Sequence, residues 1–361
     1  MPDPALYRPL FQPFAAGGLE LSNRVVMAPM TRRKCPRPNV PGDEIASYYA
    51  RRASCGLIIT EGVHIDNRNA WDTDDVPGLH TAAQADGWAE VVEAVHEAGG
   101  KIAAQLWHTG RHAAEPIGPS AIPVVRGDGT PKATPRAMTL TDLAQVRDAF
   151  CRSATLAQRA GFDAIELHGA HGYLLDSFVS GVANQREDDY GGTFANRMRF
   201  PLEVVSAVRE AVGDGYPIIY RFSQWKVENY DALNYPNPDA LGAWVTALRE
   251  AGADILHAST RDATEAAFPP DQTTLAGWTR RLSDLPVIAV GRVATSASMG
   301  EPGDVRTTDP ASAAALVANG EADLIGVGRS LIANPDWCAI VERGDWHALA
   351  PYRVEMLETL A

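Results

Sequence analysis

Eight short apolar runs rich in β-branched residues recur along the chain, at residues 25–28, 56–60, 102–107, 164–168, 217–222, 254–257, 286–290 and 323–327. Between them lie segments whose apolar positions return every three to four residues, as in amphipathic helices: 85–98, 141–160, 196–212, 238–251, 310–319 and 336–343. A run that is apolar on consecutive residues has no wet face, so each strand must be covered on both sides, as in a parallel sheet wrapped by helices. Four of these helices end at a glycine and lead straight into a strand, at Gly99, Gly161, Gly252 and Gly320. Only glycine takes the left-handed conformation of a helix stop without strain. Eight such units predict an α/β fold closed as a single (β/α)8 (TIM) barrel, in preference to an open doubly wound sheet. Residues 14–25 predict a hairpin about Gly17-Gly18 ahead of the first barrel strand. Long connections at 108–139, 223–237, 258–274 and 294–308 are expected to crowd the C-terminal face, where barrels build their sites.

No repeat, low-complexity segment or polar linker divides the chain, so residues 1–361 are expected to form one domain despite the length. A composition of 45% hydrophobic and 21% charged residues can build a core without staples. The balance of 32 basic against 45 acidic residues gives a net charge of −13, and there is no Lys/Arg run. Nucleic acid and anionic membranes are therefore excluded as partners, and a small-molecule substrate is expected. Any bound phosphate needs a local positive site against the overall field. Cys35, Cys55, Cys151 and Cys338 are scattered with no C-x-x-C pair, which argues against a zinc ribbon, an iron–sulfur cluster or a disulfide framework. The start, MPDPALYRPLF, has no basic-then-apolar leader, and no apolar run reaches membrane length, so a cytoplasmic protein is expected. Homo-oligomerisation stays open at this level.

The strongest chemical constellation is AIELHGAHGYLLDS, starting at Ala164. It delivers His168 at the end of the fourth strand, His171 in the following turn and Tyr173 at the start of a helix. Two imidazoles so placed can donate N–H bonds to one oxygen, with the tyrosine hydroxyl as a positioned acid. The alternatives are a metal pair, which would need further ligands such as Glu61 or Asp254, and histidines that merely pack. Gln105 and Trp107 share one face of the third strand. A glutamine among apolar strand residues needs both ends of its amide paired, by a flat heteroaromatic ring with adjacent C=O and N–H or by backbone. Arg221, flanked by Ile218, Ile219, Tyr220 and Phe222, must find an anion if buried: an internal carboxylate or the anionic edge of a ring. Gly291-Arg292 and Gly328-Arg329 end the seventh and eighth strands, where barrels commonly bind phosphate. Ala28-Pro29-Met30-Thr31 follows the first strand and by itself reads only as a loop. There is no G-x-G-x-x-G, no phosphate-binding G-x-x-x-x-G-K-[ST] and no G-x-S-x-G.

Taken together, LSNRVVMAPMTR, IITEGV, QLWHTGR, GFDAIELHGAHGYLLDSFVS, NQREDDYGGTFANRMRF and the two Gly-Arg strand ends resemble the Old Yellow Enzyme family of FMN-dependent ene-reductases, over nearly the whole chain. The resemblance implies bound FMN, with NADPH or NADH as hydride donor, and reduction of activated C=C bonds. It implies that Pro29, Met30, Thr31 and Gly62 line the flavin, that Gln105 pairs with its pyrimidine ring and that Arg221 faces N1 and the C2 carbonyl. Gly291, Arg292, Gly328 and Arg329 would hold the phosphate, His168 and His171 the substrate oxygen, Tyr173 would give the proton and Trp107 would shape the substrate pocket. No metal is implied. Some branches carry cysteine where Thr31 stands, and since that residue tunes the flavin potential, redox behaviour does not transfer from them. Many relatives have asparagine in place of His171, and the histidine is expected to make the clamp's charge pH-dependent near neutrality. Longer members append an iron–sulfur segment and further domains; a chain ending at Ala361 is expected to lack that dienoyl-CoA-reductase arrangement. Rival readings are a flavin amine oxidase or demethylase on the same barrel, a metal-dependent barrel hydrolase or lyase, and a non-catalytic flavin carrier.

Overall fold

A computed structural model describes residues 3–65, 70–71, 73–125, 127, 129–298, 300–301 and 305–361. Its centre is a closed barrel of eight parallel strands: β1 (Val25–Met27), β2 (Leu57–His64), β3 (Ile102–Trp107), β4 (Ala164–His168), β5 (Ile218–Ser223), β6 (Ile255–Ser259), β7 (Val287–Val290) and β8 (Leu324–Val327), with β8 pairing back to β1. Around and above it run α1 (Asp43–Ala50), α2 (Ala82–Glu97), α3 (Leu140–Arg159), α4 (Leu174–Val179), α5 (Phe194–Val212), α6 (Pro238–Ala251), α7 (Leu275–Ser283), α8 (Ala311–Ala318), α9 (Arg329–Ala333) and α10 (Trp337–Glu342). The eight expected strands are all present. Part of the expected connection 294–308 lies outside the described residues.

Local chemistry explains the helix ends. Thr81 and Gln84 close a reciprocal capping box on α2, Thr139 and Asp142 do the same on α3, and α6 starts at Pro238 behind the Asn237 cap. α4 is the expected helix after Tyr173, whereas α1, α7 and α9, of five to nine residues, went unforeseen because they are too short to show a helical period. β2 runs four residues beyond expectation, to His64. Glu61 and Gly62 interrupt its apolar run, and its pairing with β3 shifts register between Ile59 and Gly62.

Inside the barrel the side chains form layers. Val26, Leu57, Ile59, Ala103, Ala164, Ile219, Ile255, Ile288 and Leu324 make an apolar floor, to which Leu19 and Leu21 of the N-terminal hairpin add from below. That hairpin pairs Phe14–Ala16 with Leu19–Leu21 through Gly17 and Gly18, at φ 58° and 84°, a turn that requires two left-handed residues. Two positions further along four strands, on the same face, stand Gln105, Glu166, Arg221 and His257. Barrel interiors are ordinarily filled by branched apolar side chains. Here the layer beneath the C-terminal mouth is polar.

Glu61 is enclosed beside the mouth, its carboxylate accepting the N–H of Arg32 at 2.9 Å. Burial pushes this carboxyl from about 4.5 up to about 7. A group whose folded pKa is raised stabilises the fold below the unfolded pKa and loses that contribution as pH rises through the folded value. Stability should therefore decline between about pH 4.5 and 7, by on the order of 3 kcal/mol at 1.36 kcal/mol per unit. Glu61→Gln should flatten this slope: equal to the parent near pH 5 and more heat-resistant at pH 8. Melting curves that track the parent's at both values would refute burial as the cause.

Candidate active site

The polar layer floors a cavity of about 390 Å³ at the C-terminal ends of the strands. Each wall comes from a strand end or the loop after it. β1 sends Pro29, Met30 and Thr31; β3 sends Gln105 and Trp107; β4 and its turn send His168, His171 and Tyr173. β5 contributes Arg221, and the ends of β7 and β8 contribute Gly291, Arg292, Gly328 and Arg329. Gly62 is the exception among the residues singled out by sequence. It is not on the cavity wall but lies against Trp107, whose ring a Cβ at Gly62 would meet at 2.5 Å. Its lack of a side chain makes room for the indole, a contact across β2 and β3 that no single-strand reading reveals. A larger concavity of about 970 Å³ lies outside the barrel along α3 and α5 and contains none of these groups.

At the end of β4 the chain turns sharply. His171 adopts φ 66°, unusual for a non-glycine residue and sustained only where surrounding contacts dictate it. Ser223 Oγ accepts the His171 backbone N–H at 2.9 Å, and Val227 donates its own to the His171 carbonyl at 3.1 Å. Below the turn, the buried Lys226–Asp176 pair joins the β5 loop to α4, with Asp176 also accepting the Gly172 N–H at 2.6 Å. The resulting aromatic cluster is tight: ring centroids lie 5.1 Å apart for His168 and His171, 5.0 Å for His168 and Tyr173, and 5.1 Å for Trp107 and Tyr173. Trp225, from the β5 loop, stacks on His171 at 4.1 Å.

Hydrogen-bond partners fix what these groups offer. The N–H of Ala170 donates to His168 Nδ1 at 3.3 Å, so a neutral His168 carries its proton on Nε2 and donates from there. Burial first, then the charge of Arg221, pushes both His168 and His171 well below the usual imidazole value of 6.5. The pair is thus neutral near neutrality, which corrects the expectation that His171 would bring a pH-dependent charge there. Enclosure, invisible in a motif, outweighs the intrinsic pKa.

Arg221 is buried, and among the described residues no carboxylate forms an ion pair with it. Its Nη2 donates to Ser259 Oγ at 3.2 Å, while its Nε has no partner. A guanidinium in that state is costly unless a ligand completes it. Gln105 donates from Nε2 to Glu166 Oε1 at 2.7 Å, and the other oxygen of Glu166 meets His257 Nδ1 at 2.5 Å. The Gln105 amide is therefore held from below, with Oε1 and a second N–H left for an edge that sets N–H beside C=O. Above β7 and β8, Arg329 donates to the Ala297 and Ser298 carbonyls, whereas Arg292 is already paired with Asp262. A phosphate there meets one guanidinium with no carboxylate in ion-pair contact, among the described residues, and one that it must share. Taken together, the orphaned Arg221, the pinned Gln105 and the glycine-lined cradle fit FMN.

Glu166, His257, Ser259 and Trp225 were not foreseen as part of the site. Glu166 and His257 carried the same signal as Gln105 and Arg221, a polar residue in an apolar barrel strand, whereas Ser259 fell in the expected connection 258–274 and lies at the strand end only in the structure. Trp225 lies in a loop and carried none. A metal-centred use of His168 and His171 lacks a ligand set, since no group of three His, Cys, Asp or Glu suited to a metal occurs among the described residues. Asp254 is engaged instead by Arg209.

A closed (β/α)8 barrel whose mouth gathers His168, His171 and Tyr173 over a polar floor beside Gln105 and Arg221 has the shape of a cofactor-binding barrel. Residues 9–346 match the family model described as NADH:flavin oxidoreductase / NADH oxidase, and the chain belongs to that family, the Old Yellow Enzyme group that its motifs resemble. It is 34% identical over 346 residues to NADH oxidase of Thermoanaerobacter brockii, covering 91% of this chain but only 50% of that protein's length. It is 35% identical over 350 residues to NADPH dehydrogenase of Geobacillus thermodenitrificans, covering 91% and 92% of the two chains. Among solved structures, morphinone reductase in complex with tetrahydroNAD superposes with a TM-score of 0.82 at 33% identity, covering 96% of this chain and 93% of that one. An old yellow enzyme homologue from Zymomonas mobilis also gives 0.82, at 30% identity, with 96% of each chain covered. The protein is an NAD(P)H-dependent flavin oxidoreductase with FMN as its cofactor. Among the described residues no helix is long and apolar enough to cross a membrane.

Proposed function

We propose that this enzyme reduces the C=C bond of α,β-unsaturated carbonyl or nitro compounds, the nicotinamide donor and the substrate taking turns in one cavity. The observation that carries this reading is the convergence of His168, His171 and Tyr173 on the wall of the cavity that also holds Gln105 and Arg221. FMN, when bound, supplies two-electron hydride chemistry toward both reactants. Pro29, Met30 and Thr31 would line it, Gln105 and Arg221 would pair with its ring edge, and Gly291, Arg292, Gly328 and Arg329 would hold its phosphate. His168, donating from Nε2, and His171 grip the substrate oxygen and stabilise the negative charge that grows there as the β-carbon is reduced. One such donor is worth about 3–4 kcal/mol in acyl-transfer sites. The Tyr173 hydroxyl gives its proton to the α-carbon. Trp107, packed edge-on against Tyr173, shapes the space above. Residues 1–361 act as one catalytic unit in this proposal.

The test is anaerobic. NADPH should bleach the yellow protein, and cyclohexenone should restore the oxidised spectrum. Bleaching by an N-methyl amine and not by NADPH or NADH would point to amine oxidation on the same barrel. Because the clamp histidines are neutral, KM for cyclohexenone should stay within about twofold from pH 6 to 8. A sigmoidal change centred near 6.5 would show that one of them still titrates in that window.

A further inference from the structure

We propose that Ser259, at the end of β6, is a positioning residue that locks His171 into the tautomer able to grip the substrate, relaying the orientation imposed by Arg221. The inference rests on the clamp role of His171 given above and adds the residue that sets it. Ser259 is 1% exposed. Its Oγ lies 3.2 Å from Arg221 Nη2 and 2.8 Å from His171 Nε2. A guanidinium can only donate, so the first bond consumes acceptor capacity on Oγ. The hydroxyl hydrogen then points elsewhere, and among the described residues the partner within reach is His171 Nε2.

That nitrogen therefore accepts, and the proton of a neutral imidazole sits on Nδ1. The opposite arrangement, with Nε2–H donating to Oγ, leaves the buried hydroxyl hydrogen without a recorded acceptor and Nδ1 with only a lone pair. A lone pair repels an oxygen gaining negative charge, so that arrangement would turn half of the clamp against its purpose. His168 is held by the backbone as the Nε2–H form, and His171 by Ser259 as the Nδ1–H form. The two rings lie 5.1 Å apart on the cavity wall, and with opposite tautomers each keeps one N–H free of its backbone or Ser259 partner to offer the substrate oxygen. Trp225, stacked on the outer face of His171, fixes the plane of the ring but not its proton. Among the described residues, Ser259 does that.

The test uses FMN-loaded enzyme labelled with ¹⁵N-histidine. Nine histidines are present, and His171→Asn assigns the signal of interest. Long-range ¹H–¹⁵N spectra of the parent should show His171 protonated at Nδ1 and bare at Nε2. Ser259→Ala should lose that single form, and Ser259→Thr, which keeps the hydroxyl, should retain it. In the oxidative half-reaction, Ser259→Ala should raise KM for cyclohexenone by about tenfold, the loss of one hydrogen bond, with Thr restoring it. A parent spectrum with Nε2 protonated overturns the proposal, as does an Ala variant that keeps both the parent's tautomer and its KM. If His171→Asn and His171→Ala both reduce cyclohexenone as the parent does, the clamp reading fails, while the tautomer spectra still decide whether Ser259 sets the ring.

Discussion

Tyr173→Phe should lower the rate of cyclohexenone reduction by about 10²- to 10⁴-fold, the range that a positioned proton donor contributes, while bleaching by NADPH stays near the parent rate. The substitution is close to a pure deletion of one hydroxyl. Tyr173 caps the N-terminus of α4 with extended backbone at φ −70°, and its ring sits edge-on to Trp107, His112 and His168 at 5.1, 5.4 and 5.0 Å. Phenylalanine keeps these ring contacts, together with the edge-on contact to His171 at 6.5 Å, and the cap's backbone conformation, so the melting temperature should barely move. Stopped-flow measurement of each half-reaction separates the effects. Equal losses in both would mean that the ring, and not the proton, matters, and the assignment of Tyr173 as the acid would fail.

The barrel was legible because its signals are local and repeat: apolar runs too continuous for a half-wet sheet, and glycine stops between helix and strand. What escaped were features decided across strands. Glu166 sits in a run otherwise as apolar as its neighbours, and only when β3, β4 and β6 come together does its carboxylate bridge Gln105 and His257. Gly62 was assigned to the flavin from its motif, yet the bulge in β2 sets it against Trp107, and that pairing depends on register. The neutrality of the histidines was hidden for a related reason. Their residue type advertises titration near neutrality, but burial at the mouth, and then the charge of Arg221 on the adjacent strand, opposite His168 in register, hold them neutral. Sequence thus singled out chemical groups most of which reach the mouth, though it missed Ser259 and Trp225. It could not say which of them neutralise, orient or crowd one another.

Arg221→Met should produce opposite effects in the two forms of the protein. Without FMN, the guanidinium is a buried cation whose single side-chain hydrogen bond goes to Ser259 and whose Nε is unsatisfied; burial lowers its pKa, and Glu166 is the main charge that opposes the drop. Replacing such a charge with an apolar chain of similar length is often neutral or stabilising, so the apoprotein should melt at the same temperature or higher. With FMN placed as proposed, the same replacement removes the cation that would face the ring edge that becomes anionic on reduction. A hydrogen bond to a charged group is worth about 1.5–3 kcal/mol, which for a two-electron couple corresponds to a reduction potential lower by about 30–65 mV. The melting gain from added FMN should shrink as well. Calorimetry of both forms and equilibration against a reference dye check the two signs. An apoprotein that loses several degrees while the flavin potential stays put would make Arg221 a structural residue, and the slot above Gln105 would lose its main claim to an anionic ring. The inverse pattern means that the fold carries an incompletely satisfied cation because its partner arrives with the cofactor.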